Sequence, residues 1–248
     1  MSGHSKWATI KHKKAATDAK RGKAFTRIIK EISIAARSGG GDPDGNPRLR
    51  SAILAAKAAS MPSDNIKKAI MRGTGELEGG QIEEVMFEGY GPGGAAVLVN
   101  VATDNRNRTV SELRHAFSKN GGNMGAEGCV AWMFERKSQI FVPGDKTEDQ
   151  LMDIVLDAGA DDLRDEGGRW EILSAPEAHY AILKALETKG LHGEDASIAM
   201  VPKNTVMLEG KQAAAMLRLS EALEEHEDVQ NVYSNFDIDE KEMEALAQ

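Results

Sequence analysis

The stretch that decides the fold runs from 138 to 202 and breaks into six pieces. They are SQIFV (138–142), TEDQLMDIVLDAGA (147–160), DDLRDEG (161–167), RWEILSA (169–175), PEAHYAILKALETKG (176–190) and ASIAMVP (196–202). Thr147-x-x-Gln150 and Ser174-x-x-Glu177 have the capping-box pattern of a helix start. The pieces therefore read strand, helix, strand, strand, helix, strand, a complete ferredoxin-like unit. On the N-terminal side, EVMFEGY (84–90), the hairpin-like GPGG (91–94) and AAVLVNVAT (95–103) read as two strands. A helix opened by Thr109-x-x-Glu112 and buried through Val110, Leu113 and Phe117 follows, then CVAWMFER (129–136) as a strand. On the C-terminal side come one helix, about 211–225, and one strand, VQNVYSNF (229–236). Those two elements are what the ββαβ run begun at Glu83 needs for completion. The expected fold is thus α+β, with two ferredoxin-like domains, one (137–203) inserted into the other (76–136 plus 204–240). Such insertion is cheap because the termini of small domains lie close together. An acidic tail, 241–248, ends the chain, which is expected to fray after Asp237.

The first 75 residues have a helical period instead. Between 18 and 37, Phe25, Ile28, Ile29, Ile32, Ala35 and Ala36 fall on one helix face. Lys20, Lys23, Arg27, Lys30 and Arg37 form a second stripe that backs onto the first. GGGDPDGNP (39–47) is a loop, with Pro47 suited to the first turn of a helix buried through Leu49, Ala52, Ile53 and Ala56. Ser63 reads as the N-cap of a third helix carrying Ile66 and Ile70 and closed by Gly73.

Composition narrows the function classes. The 248 residues include one cysteine, which excludes a disulfide framework and a paired-Cys zinc site. The longest apolar run, 129–134, is far below the ~20 residues of a membrane span. The start lacks a signal-peptide pattern and the glycine that myristoylation needs, so a cytoplasmic, reducing environment is expected. The net charge of −8 hides an asymmetry: residues 1–72 hold 16 Lys and Arg against 5 Asp and Glu, leaving 15 against 34 in the other 176. A basic first third joined to an acidic body points to a polyanion partner.

Lys6, Lys11, Lys13, Lys14, Lys20, Arg21, Lys23, Arg27 and Lys30 are the candidate phosphate contacts, with Asp18 the single acidic residue among the first thirty. The segment before Asp18 has little apolar period and reads as an arm. Its Trp7 either stacks on a base or anchors the arm. A solvated helix face is the bland alternative, but such faces usually mix signs. DNRNRT (104–109) places Arg106 and Arg108 at a strand-to-helix junction, which serves either as an anion site, extended by Arg114 and His115, or as ordinary loop and cap chemistry. GYGPGG (89–94) joins two strands and lacks the Lys-Ser/Thr ending of a phosphate loop, so a hairpin turn is expected. Cys129 reads as a core thiol. The six histidines show no metal-ligand spacing, so no metal, cofactor or small-molecule substrate is expected. The acidic runs 221–228 and 237–244 read as solubilising faces. No aromatic signature of an RNA-recognition motif is present; Phe87, Trp132 and Phe134 suit the core equally well.

GHSKW (3–7), KAATDAKRGKAFTRIIKEI (14–32), GGGDPDGNPRLR (39–50), EGYGPGGAAVLVNVATDNRNRT (88–109) and LRHAFSKNGGNMG (113–125) resemble the YebC family. Its mitochondrial relatives include the translational activator of cytochrome c oxidase. The resemblance implies a non-enzymatic protein with a helical domain and two α/β domains, acting on DNA as a transcriptional regulator. The alternative it implies is a ribosome-associated translation factor that binds ribosomal RNA or tRNA and relieves stalling at consecutive prolines. Cys129 departs from the serine common in the family. The long Gly-rich loop 38–47 is unlike the tight turn of a helix-turn-helix, which leaves phosphate contacts rather than base readout as the expected mode. No membrane partner is expected, and a monomer is favoured.

Overall fold

The computed structural model describes residues 18–77, 80–166 and 168–246. Three helices come first: α1 (Asp18–Gly39), α2 (Pro47–Ala58) and α3 (Ser63–Thr74). Ile32, Ala35, Leu49, Ala56 and Ala69 form their shared core, with Phe25, Ile28 and Ile29 packed against it, so the apolar stripe read from the sequence is the buried one. Asn46 caps α2 through the Leu49 amide, and Pro47 opens its first turn. Ser63 is not a cap: α3 begins after Pro62 with no side-chain cap bond, and it runs past Gly73 to a left-handed Gly75 at φ +84°. Gly73 has a different task. A Cβ there would lie 2.3 Å from the Ser33 carbonyl oxygen, so only glycine lets α3 press this closely on α1. The Ser33 hydroxyl ties the same crossing by donating to the Ala69 carbonyl at 2.9 Å.

The α+β remainder contains β1 (Glu83–Tyr90), β2 (Ala96–Thr103), α4 (Arg106–Lys119), β3 (Asn123–Met124), β4 (Phe134–Pro143), α5 (Glu148–Val155), β5 (Ala160–Asp165) and β6 (Arg169–Ser174). It continues with α6 (His179–Thr188), β7 (Glu194–Pro202), β8 (Val206–Met207), α7 (Gly210–Glu224), β9 (Val229–Ser234), β10 (Phe236–Asp237) and α8 (Glu240–Leu246). The described chain divides into two compact units, 132–205 and the rest. In 132–205 the sheet order is β5-β6-β4-β7 with every neighbour antiparallel, the ferredoxin-like arrangement. Ile140, Val142, Leu163 and Ile172 from the strands pack with Leu151, Val155, Ile182 and Leu186 from α5 and α6. The Thr147–Gln150 capping box forms. Ser174 does not cap α6; it lies buried at the end of β6 and its hydroxyl turns to the Ala175 carbonyl.

The other unit holds a four-stranded sheet ordered β3-β1-β2-β9, also antiparallel, with the β1–β2 hairpin at its centre. Val97, Val99 and Val101 of β2 meet Leu113 and Phe117 of α4 and Met216, Leu219 and Leu223 of α7. Ala96, Leu98 and Ala102, on the opposite face of β2, are equally buried, and α1 packs against this strand. The sheet therefore offers no open aromatic platform along its centre.

Two expectations change here. The run 129–136 is not the third strand of this sheet. That place is taken by the two-residue β3, and 134–136 belongs to β4 together with 138–142. The reason is Glu88, whose carboxylate takes the amides of Gly128, Val130 and Ala131 at 2.6, 2.7 and 2.8 Å and so removes them from any ladder. From Ile238 to Met243 the chain does not fray: Ile238 and Met243 are buried with the core of α7 and β9.

Candidate nucleic-acid interface

Lys6, Lys11, Lys13, Lys14, Trp7 and the histidines at 4 and 12 lie outside the described residues. Lys20 and Arg21 fall in the first turn of α1, and their side chains also lie outside them. Lys23, Arg27 and Lys30 follow on the stripe that backs onto the apolar face.

That stripe does not face solvent throughout. The Arg27 guanidinium donates to the Glu224 carbonyl at the end of α7, while its Nε has no partner; burial pulls its pKa down against the opposing pull of Glu224. Lys30 Nζ reaches the Asp228 carboxylate at 2.6 Å and the Glu227 carbonyl at 3.0 Å. α1 is thereby fastened to the turn between α7 and β9.

Asp228 is the centre of this junction and is 3% exposed. One oxygen takes Lys30; the other takes the Thr109 hydroxyl at 2.6 Å, Arg108 Nη2 at 3.0 Å and the Thr103 hydroxyl at 3.3 Å. Burial by itself would raise this carboxyl. The bonds from Lys30, Thr109 and Arg108 outweigh it and hold the group well below the usual carboxylate range. Arg108 is raised in turn, chiefly by its bond to Asp228.

The DNRNRT turn is built around this carboxylate. Asn105, not Thr109, caps α4, accepting from the Arg108 amide at 3.1 Å. Thr109 has the residue type and the spacing to Glu112 of a cap, but its hydroxyl is committed to Asp228 inside the first turn. Arg106 and Arg108, adjacent in the motif, therefore part ways. Arg108 bridges Asp104 and Asp228, whereas Arg106 is exposed and makes no hydrogen bond or ion pair among the described residues. Arg114 and His115 are exposed further along α4.

Glu112, His226 and Asp228 bring their ligand atoms within 4.8 Å of one another. Their bonding is that of a polar network rather than a cation cage. His226 Nδ1 accepts the Asp228 amide at 3.1 Å, which assigns the proton to Nε2, and that nitrogen faces Glu112 at 2.8 Å. Asp228 already meets two cationic side chains. Cys129 sits beside Glu88, and burial first, then the charge of Glu88, push its thiol up, which disfavours the nucleophilic thiolate. Phe87 and Phe134 are buried, and Trp132 is exposed on a 3-10 turn rather than on a strand. GYGPGG is the β1–β2 connection, with Gly93 at φ +70°. Among the described residues no helix is long and apolar enough to cross a membrane.

A three-helix bundle clamped to an antiparallel α/β sheet, with a ferredoxin-like unit inserted in the chain between β3 and β8, defines the class of architecture. Residues 5–76 match the model of the TACO1/YebC protein N-terminal domain, and residues 82–236 match that of the TACO1/YebC second and third domain. The chain belongs to the TACO1/YebC family. It is 80% identical to a probable transcriptional regulatory protein of Solibacter usitatus and 61% identical to one of Koribacter versatilis, each over all of both chains. It also resembles the crystal structure of a conserved hypothetical protein from Aquifex aeolicus, at 48% identity and a TM-score of 0.82, over 90% of this chain and 93% of that one. The Solibacter and Koribacter relatives carry regulatory names, which support a YebC-type regulator.

Proposed function

We propose that the chain is a cytoplasmic, non-enzymatic DNA-binding regulator of transcription that grips backbone phosphates with its basic first third. The observation that carries this reading is the charge separation: 16 basic against 5 acidic residues in 1–72, joined to a body of opposite sign. In this reading Lys6, Lys11, Lys13, Lys14, Lys20, Arg21 and Lys23 meet the phosphates, and so does Arg106. Arg27, Lys30 and Arg108 serve the same surface from behind, because their bonds to Glu224, Glu227 and Asp228 hold α1 and α4 in place. Lysine contacts to phosphate position a protein without specifying sequence, so selectivity for a site would come from DNA shape or from a partner.

The test is sedimentation of the native protein through sucrose gradients at near-physiological salt, with the lysate split between DNase and RNase, alongside mobility shifts on promoter duplexes with competitor DNA. A protein that stays at the top of every gradient and shifts a promoter duplex over competitor supports the proposal. Co-migration with ribosomes that survives DNase and collapses with RNase replaces it with a translational role through ribosomal RNA.

A further inference from the structure

The cations of the helical bundle fall into two sets. Arg27 and Lys30 spend their donors inside the molecule, as does Arg48, which bridges Glu31 and Glu84. Arg72 differs. It is exposed in the last turn of α3 and makes no hydrogen bond or ion pair among the described residues. Lys68, one turn earlier on the same helix, is likewise exposed and without such a bond.

Arg72 and Arg37 both line a cavity of about 430 Å³ between α1, α3 and the segment leading into β1. Among the described residues every other one lining it is uncharged, so two arginines and no described carboxylate face the cavity. Its volume falls within the ~300–1,000 Å³ of ordinary ligand sites. One Arg37 nitrogen donates to the Ile82 carbonyl at 3.0 Å, which orients the group, and its other donors meet no partner among the described residues. The Met71 and Arg72 carbonyls near the end of α3 are capped by the Gly75, Glu76 and Leu77 amides. The glycine contact at Gly73 sets the spacing of the two helices that carry the arginines. Helix-dipole compensation accounts for a cation in each last turn. It does not account for two arginines lining one cavity with no carboxylate among its described residues.

We propose that Arg37 and Arg72, supported by Lys68, form a phosphate-contact site for a nucleic-acid backbone on the α1–α3 side of the bundle. The charge of the lining selects a polyanion, and the fork geometry of two guanidiniums suits phosphate oxygens. The site rests on the nucleic-acid reading above and adds to it the last turns of α3, which the basic stripe of α1 does not include.

Fluorescence anisotropy with the full chain tests it, using a fluorescein-labelled 20-base-pair DNA duplex and a labelled 20-nucleotide RNA between 50 and 200 mM KCl. Arg37→Gln with Arg72→Gln is expected to weaken binding at least fivefold at 100 mM. The slope of log K against log salt should fall by about 1.8 on the duplex, two phosphates' worth. Arg37→Lys with Arg72→Lys should restore the slope, and Lys184→Gln with Lys189→Gln should change neither quantity. Wild-type protein that binds neither probe at 50 mM overturns both this site and the general reading. Wild-type binding that the glutamine pair leaves unchanged, or a lysine pair that fails to restore the slope, overturns this site alone.

Discussion

Glu88 and Asp228 are both carboxylates sealed within the same unit, 4% and 3% exposed, yet they are satisfied in opposite ways. Glu88 collects three backbone amides from one short loop, 128–131. Asp228 collects side chains from three separate elements, Lys30 of α1, Thr103 of β2, and Arg108 and Thr109 of α4. The first shapes a local turn; the second joins the helical bundle to the sheet. The difference also sorts the cations. Lys30 and Arg108 are structural bonds at Asp228, whereas Arg106 and Arg72 make no hydrogen bond or ion pair among the described residues.

The sharpest way to break this comparison is at its second member. Asp228→Ala strands Lys30 and Arg108 beside a desolvated hole. It should cost about 3 kcal/mol in urea unfolding, the scale of a broken buried pair. Because the folded pKa of Asp228 is depressed, its contribution is complete above the ordinary carboxyl range and is lost as pH falls through and below that range. An unfolding series from pH 7 to pH 3 should therefore show the difference between wild type and Asp228→Asn shrinking toward acid. A constant difference contradicts the ion-pair account.

At Glu88 a smaller effect is expected. Glu88→Gln keeps one acceptor oxygen and loses the charge, so about 1–2 kcal/mol is at stake. Amide exchange at Gly128, Val130 and Ala131 should accelerate, while amides of α1 stay protected; exchange rising in α1 as well would erase the local-versus-connecting distinction. Smallest of all, Arg106→Ala should leave stability within ~0.5 kcal/mol, as at other exposed sites, whereas Arg108→Ala should lower it measurably. Equal effects from the two would mean that their different bonding has no energetic meaning.

Much of the architecture is legible because it is local. The apolar stripe of α1, Pro47 at the start of α2 and the Thr147–Gln150 box are patterns of three to seven residues, and they fold as they read. What fails to read is what distant partners decide. Thr109 and Ser174 have the residue types of caps, but Asp228, 119 positions away, claims the first, and burial at the end of β6 claims the second. The strand expected at 129–136 yields to a single carboxylate forty residues upstream. Within the basic stripe, charge is visible in sequence, but its commitment is not: Lys30 finds its counter-ion 198 residues later. Nothing in the run EHEDV (225–229) marks Asp228 as different from its acidic neighbours, because its importance comes from what surrounds it.

The central claim, that the cations bonded at Asp228 build the fold while Arg72 meets nucleic acid, is tested most directly by measuring two quantities on two variants. Lys30→Gln and Arg72→Gln would each be characterised by Tm and by duplex affinity at 100 mM KCl. The account predicts a crossed result: Lys30→Gln lowers Tm and keeps the affinity of the folded protein within twofold, while Arg72→Gln keeps Tm and weakens binding severalfold. The opposite pairing, with Lys30→Gln at full stability and impaired binding and Arg72→Gln binding normally, would contradict it.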